Sequence, residues 1–360
     1  MEGGRVNKTK KYFFLSRLMA MGLVMGGVLA ANTTYAESIF EYLTPTADSS
    51  PAGLAFDSKG NLWFAEVNGN KIGKLTPSKV KPGTSDGIVE YELPHANSKP
   101  QYLIVSRDDI VWFSEMGGNR IGRLDPETGI IREYNIPTPN SEPHHLFESK
   151  DRKIWFTEFE ANKIGRLDPL MGEIKEFTVN EGHPHDLVVD DEYVWYTQGG
   201  KFWAKIFANK IGYLELESGK VGEIVIPPKK SVPHGMSLAS DGTIWFTQFF
   251  AGKISRLDFS EEFPPKVVDY QIPGKRIGAH DLVVDYNKRW VWFVANHKDS
   301  IGKLDLTEAD PEAGIQLFPL PTKGAHPSNL VLDKEGNVWF TEMGMYFRGR
   351  YQNKIGKLVP

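Results

Sequence analysis

Pro143-His144-His145-Leu146, then Ile154-Trp155-Phe156-Thr157-Glu158, then Asn162-Lys163-Ile164-Gly165-Arg166-Leu167, then Ile174-Lys175-Glu176-Phe177, is the stretch that decides the fold. Each run is short and alternates apolar with polar residues, and turn residues such as Lys59-Gly60 and Asp241-Gly242 separate such runs elsewhere. That pattern argues for strands over helices. The same order returns around Trp63, Trp112, Trp155, Trp195, Trp245, Trp292 and Trp339, seven copies with a mean spacing of 46 residues. A period in the forties with four strands per unit is the signature of a β-propeller blade. The expected fold is therefore all-β, a seven-bladed propeller filling residues 37–360.

The ends of the chain extend this reading. The seventh copy stops after Asn353-Lys354-Ile355-Gly356-Lys357-Leu358, its third strand. Ile39-Phe40-Glu41-Tyr42-Leu43 matches the fourth strands Ile88-Val89-Glu90-Tyr91-Glu92-Leu93 and Ile131-Arg132-Glu133-Tyr134-Asn135-Ile136. The segment that begins the domain is thus expected to complete the last blade and remove an open sheet edge.

Residues 1–36 differ in kind. Arg5, Lys8, Lys10, Lys11 and Arg17 precede an apolar run from Leu18 to Ala31, and Thr34-Tyr35-Ala36 offers small residues for cleavage. This reads as a secretory signal peptide, the run being short of the ~20 residues of a membrane helix; an uncleaved anchor is the alternative. The expected location is secreted or periplasmic. Without the leader, 37 basic side chains face 45 acidic ones, a net charge of -8. That balance argues against nucleic-acid partners and against anionic membrane surfaces after cleavage. There is no cysteine, which excludes disulfides, thiolate metal sites and Cys nucleophiles. Catalysis would have to use His, carboxylates, hydroxyls, Lys or a metal held by oxygen and nitrogen.

A residue present in every blade serves every blade, so the Trp-Phe pairs are read as packing, and so is the Asn-Lys-Ile-Gly element, kept as Asn with Lys or Arg at residues 70, 119, 162, 209 and 353 and drifted to Gly252-Lys253-Ile254-Ser255 and Asp299-Ser300-Ile301-Gly302. Function is sought where the copies differ. At the start of the first strand the copies read Ala52, Gln101, His144, His185, His234, His280 and Ser328. At the end of the second they read Glu66, Glu115, Glu158, Gln198, Gln248, Ala295 and Glu342. Seven of nine histidines, His144, His145, His183, His185, His234, His280 and His326, fall at or within two residues of the first set. Neutral imidazoles beside carboxylates suit proton abstraction near neutral pH, and carboxylates suit a hard cation. Two insertions on the same face, Gln198 to Asn209 with Phe202, Trp203 and Phe207, and Glu342 to Asn353 with Met343, Met345, Tyr346, Phe347 and Tyr351, read as apolar walls over a polar floor. That is the usual make-up of a small-molecule site.

These repeats resemble the virginiamycin B lyase (streptogramin lyase) family, whose blades carry Trp-Phe-Thr-Glu, then Asn-Lys-Ile-Gly-Arg-Leu, then Glu-Tyr and Ile-Pro. The resemblance spans residues 37–360. In that family a Glu-Pro-His tripeptide with a Glu fourteen residues after the His supplies two Mg2+ ligands and a general base. Glu142-Pro143-His144 and Glu158 reproduce the set, and no other blade has it. The resemblance implies Mg2+ as cofactor on Glu142 and Glu158, His144 as the base, and elimination that opens a cyclic depsipeptide ester of the streptogramin B type, an antibiotic-resistance activity. Gln101, His185, His234, His280, Trp203 and Tyr346 are the expected substrate contacts, on a protein expected to be monomeric. Two features depart from the family. Gln101 stands where the family has a substrate-contacting His in the preceding blade, and the motif lies in the third blade rather than the last. Two other readings stay open: an exported propeller that binds a small ligand or a partner protein without catalysis, and a metal-dependent hydrolase of the lactonase type.

Overall fold

A computed structural model describes residues 38–201, 204–260, 263–345 and 349–360. It consists of seven four-stranded antiparallel sheets. The third blade is typical, with strands Pro143–Glu148, Ile154–Glu158, Lys163–Leu167 and Ile174–Thr178 in that spatial order. The first strands of successive blades touch one another around a closed circle, so they line the central channel.

Closure follows the sequence expectation. Ser38–Leu43 pairs antiparallel with Arg350–Val359, matching Ile39 with Leu358 and Tyr42 with Ile355. Tyr42 stacks on Trp339 with ring centroids 5.5 Å apart. The outermost strand of the seventh blade thus comes from the opposite end of the chain, as the partial last repeat requires.

The repeated residues hold neighbouring sheets together. Each blade's Trp packs into the next blade: Trp112 lies with Leu146, Ile154 and Phe156, and Trp339 with Leu54, Leu62 and Phe64 across the closure. The glycine of Asn-Lys-Ile-Gly makes room for the second-strand aromatic ring. A Cβ on Gly165 would fall 2.1 Å from the Phe156 ring, too close for any side chain. The Asn adopts φ values of 51–56° at Asn70, Asn119 and Asn162 and ties down the connection to the next blade. Asn119, for example, accepts from the Ser141 amide and donates to the carbonyls of Ile136 and Thr138.

One local irregularity positions the site. In every blade the register of the first and second strands shifts between the first and fourth residues of the first strand, as between Pro143 and Leu146. Such a bulge breaks strict alternation. Two consecutive residues can then face the channel before the next one returns to the core.

Candidate functional site at the channel mouth

The first residues freed by the bulge form an upper ring: Ala52, Gln101, His144, His185, His234, His280 and Ser328. Four imidazoles run side by side in it. Ring centroids are 4.0 Å apart for His144 and His185, 3.7 Å for His185 and His234, and 4.0 Å for His234 and His280. The backbone beneath them is pinned by second-strand hydroxyls. Thr157 Oγ1 accepts from the His145 amide and donates to the His185 carbonyl, so a single side chain fixes the bulge of one blade to the imidazole-bearing residue of the next. Thr197 and Thr247 repeat this toward His234 and His280.

Burial keeps this row neutral. It pushes the His144 imidazole down to about 3, with the nearby His145 adding to the effect. Burial likewise takes His280 down to about 4 and holds His185 and His234 well below the usual range. At pH 7 four uncharged rings therefore present lone pairs. His234 Nδ1 lies 3.0 Å from the His280 carbonyl, the His144 and His280 rings likewise interact with the backbone of His185 and Ser328 in the following blades, and His185 Nδ1 is buried without a hydrogen-bond partner. Phe159 and Phe249, each following the end of a second strand, pack against the row. Phe159 lies 6.3 Å from His144 and 6.1 Å from His185, and Phe249 lies 5.6 Å from His234.

The second sequence-derived set is placed differently. Glu158 pairs in register with Pro143, so its backbone stands at the same end of the channel as His144. Its carboxyl, however, is fully buried within the blade and interacts with Glu176, Ser141 and Lys163. Burial first, then the Glu176 charge, pushes Glu158 up to about 8, so it carries a proton at neutral pH. Glu66 and Glu342 occupy the same environment beside Glu90 and Glu41 and are raised to the same value. The lysine of the repeat completes the arrangement, as Lys163 does with Glu176 at 3.1 Å. This acid pair with its lysine is a recurring blade feature that spacing alone did not reveal.

Glu142 sits just before the bulge with φ 51°, and its carbonyl accepts from the Phe159 amide. Its carboxyl is raised by burial and then by Glu160, with Lys201, Lys99 and His183 also near. As donors for a hard cation, Glu142 and Glu158 fit in kind: two carboxylates on one hairpin end, both Glu158 oxygens lacking a hydrogen-bond partner. Glu66 and Glu342 share those unpartnered oxygens. What is particular to the third blade is Glu142 joined to His144. No group of three His, Asp or Glu side chains arranged to hold a metal occurs among the described residues.

Other expected residues fall as follows. Gln101 is buried in the upper ring, one blade before His144. His183 and His326 precede the first strands and belong to the connections, His183 Nδ1 meeting the Phe159 carbonyl at 2.9 Å. Trp203 and Tyr346, with Phe202 and Phe347, lie outside the described residues, as does the leader 1–36. The described residues of the Glu342 to Asn353 insertion continue the strand pairing, Gly344 with Tyr351 and Met345 with Arg350. Its Met343 is buried beside Ala52 and Val67.

A lower ring was missed from sequence. The second residues freed by each bulge are Gly53, Tyr102, His145, Asp186, Gly235, Asp281 and Asn329. Simple alternation sends them away from the channel. Their signal was available nonetheless, because they vary in polar type from copy to copy as much as the upper ring does.

Fold and site together define the class: a seven-bladed propeller with a histidine-lined channel mouth. The chain belongs to the virginiamycin B lyase family, whose model matches residues 30–202 and 198–358. It is similar to a streptogramin B lyase of known structure, at 30% identity and a TM-score of 0.76 over 90% of this chain and 97% of that one. It is also similar to virginiamycin B lyase from Staphylococcus aureus, at 28% identity and a TM-score of 0.77 over 90% of this chain and all of that one. A catalytically inactive His-to-Ala variant of the S. aureus enzyme, solved with quinupristin, matches at 29% identity and a TM-score of 0.76, over 90% of this chain and all of the variant. Among curated proteins no relative is found.

Proposed function

We propose that the protein is an exported lyase that opens a cyclic depsipeptide ester of the streptogramin B type, or a related cyclic ester, by elimination. The observation that carries this reading is His144: a neutral imidazole at the channel mouth, on the same hairpin end as Glu142 and Glu158. The quinupristin bound to the inactive S. aureus variant supports a macrocycle of that class as substrate.

In the proposed reaction His144 takes the proton from the carbon next to a carbonyl. The ester oxygen leaves the neighbouring carbon as a carboxylate, and a carbon–carbon double bond remains. Atoms balance without water, so the product is an isomer of the substrate. Being neutral, His144 can accept the proton; being buried, it is a weak base that needs a stabilised transition state. Mg2+, held by Glu142 and Glu158, would supply that by polarising the carbonyl. Glu158 must shed its proton to serve as a ligand. Phe159, tilted against His144 and edge-on to His185, helps to fix both rings. The apolar loop walls would hold the macrocycle, and export rests on the leader. Mass spectrometry of the chain from cells tests export: a secreted or periplasmic form beginning near residue 37 supports it, and an intact cytoplasmic form alone contradicts it.

One observation favours a second reading, an exported module that binds without catalysis. Gln101 is where the row of imidazoles ends, so His144 has no imidazole on that side. The product distinguishes the readings. A ring-opened isomer means elimination, a product heavier by one water means hydrolysis, and an unchanged macrocycle that still binds means a binding module.

A further inference from the structure

The proposed reaction does not use the lower ring, yet that ring gathers buried charge. Asp186 is fully buried; its Oδ2 accepts from the Met236 amide at 3.0 Å, and its Oδ1 from the Leu187 amide at 2.7 Å. His145 Nδ1 also lies 2.9 Å from Oδ1. Asp281 comes from two blades further on; its Oδ1 accepts from the Leu282 amide and its Oδ2 from Asn329 Nδ2. Between these blades stands Gly235, where a Cβ would lie 2.9 Å from Asp281 Oδ1. The bare glycine leaves the space in which the two carboxylates gather. Among the described residues no Lys or Arg pairs with either.

A second observation points into the same space. Tyr102 is 4% exposed, and its buried hydroxyl has no partner at full hydrogen-bonding geometry, lying beside the Asn329 side chain and within the field of both Asp281 and Asp186. Its ring is held 4.8 Å from both His144 and His145, so the hydroxyl cannot turn to solvent without unpacking. A buried hydroxyl short of a well-formed hydrogen bond, beside two carboxylates that no Lys or Arg balances, is expensive unless something lies between them.

We propose that the lower ring binds one hard divalent cation of the calcium class between Asp186 and Asp281, separate from the Glu142 and Glu158 hairpin. The ion cancels the two negative charges, and Tyr102 donates its hydrogen to a carboxylate or to a water on the ion. Two carboxylates fall short of the six to eight oxygens calcium takes, so channel water completes the shell. The repulsion between the aspartates, which with burial raises Asp281 to about 7, is relieved by the ion. Because Asp186 and Asp281 reach the ring from different blades, the ion also braces the disc. The site is independent of the lyase reading.

Calorimetric titration of the chelator-treated full chain with Ca2+ tests this. One Ca2+ per chain at the lower ring, counted apart from any ion taken by Glu142 and Glu158, and a rise of several degrees in melting temperature are expected. Asp281→Asn should weaken binding at least about tenfold, and Glu158→Gln should leave it unchanged. No binding heat with an unchanged melting temperature, or binding lost in Glu158→Gln but kept in Asp281→Asn, overturns the proposal. Should the Asp281 variant fail to fold, a crystal of the unaltered protein grown with Ca2+ decides: an ion between Asp186 and Asp281 supports the site, and an ion elsewhere or none overturns it.

Discussion

The imidazoles of His144 and His185 pack 4.0 Å apart although they belong to different blades. Thr157 fixes this pairing, since its hydroxyl takes the amide following His144 and gives its own hydrogen to the His185 carbonyl. His185 thus borders the proposed base from the blade after it, the side opposite Gln101. Thr157→Val keeps the shape and removes both bonds. It should lower kcat by about tenfold, equal to about 1.4 kcal/mol, through loss of ring positioning, with a smaller change in KM. Steady-state kinetics checks this split.

Gln101→His tests the other side. The family's substrate-contacting His lies in that blade, and the Gln101 side chain already occupies the upper ring. If the missing imidazole limits turnover, the variant should raise kcat/KM by about tenfold. An unchanged or lower value shows that Gln101 does not limit the reaction.

The acid pairs make stability depend on pH in a defined direction. Glu66, Glu158 and Glu342 are each raised from 4.5 to about 8, chiefly by burial. Between those values the folded chain holds protons that the unfolded chain has released. Their stabilising contribution is complete below the unfolded value and declines as pH rises toward the folded one. The carboxyl contribution is therefore lost between pH ~4.5 and ~8; because the buried histidines, lowered from 6.5, gain stability as pH rises to that value, the net fall in melting temperature should appear between pH ~6.5 and ~8. Glu158→Gln, the residue that blades four and five carry as Gln198 and Gln248, should flatten that fall. Thermal unfolding across this range measures it.

Packing predicts a sharp steric effect. Gly165→Ala should destabilise the domain by about 1–3 kcal/mol, because the new methyl meets the Phe156 ring. In the fifth blade Ser255 stands opposite Phe246 at the same place, with its hydroxyl bonded to Gln248 and Asp269, a local accommodation that the third blade lacks. Denaturant titration of the variant against the parent gives the difference.

The fold was legible because seven copies of one unit repeat the same signals, and because Ile39 to Leu43 read as the missing fourth strand. The upper ring was legible from residues that vary against a constant frame. Two parts were not. Alternation along a strand hides Asp186 and Asp281, since the bulge after Pro184 and Ala279 turns two consecutive residues inward, and only their variation from copy to copy marks them. The position of Glu158 at a strand end does not say where its carboxyl goes; it meets Glu176 within the sheet. Which way a side chain leaves a strand end depends on partners brought from other strands. No local pattern carries that.

The most direct test of the central claim compares the purified protein with its His144→Ala variant on a streptogramin B macrocycle with Mg2+ present. Both are first checked for the same β-rich circular dichroism at the assay temperature. The account predicts that the parent converts the macrocycle to a ring-opened isomer containing a new double bond. The variant should be slower by about a hundredfold to ten-thousandfold, the usual effect of losing one general base. A macrocycle left intact by the parent, or a His144→Ala variant that opens it at the parent's rate, would contradict it.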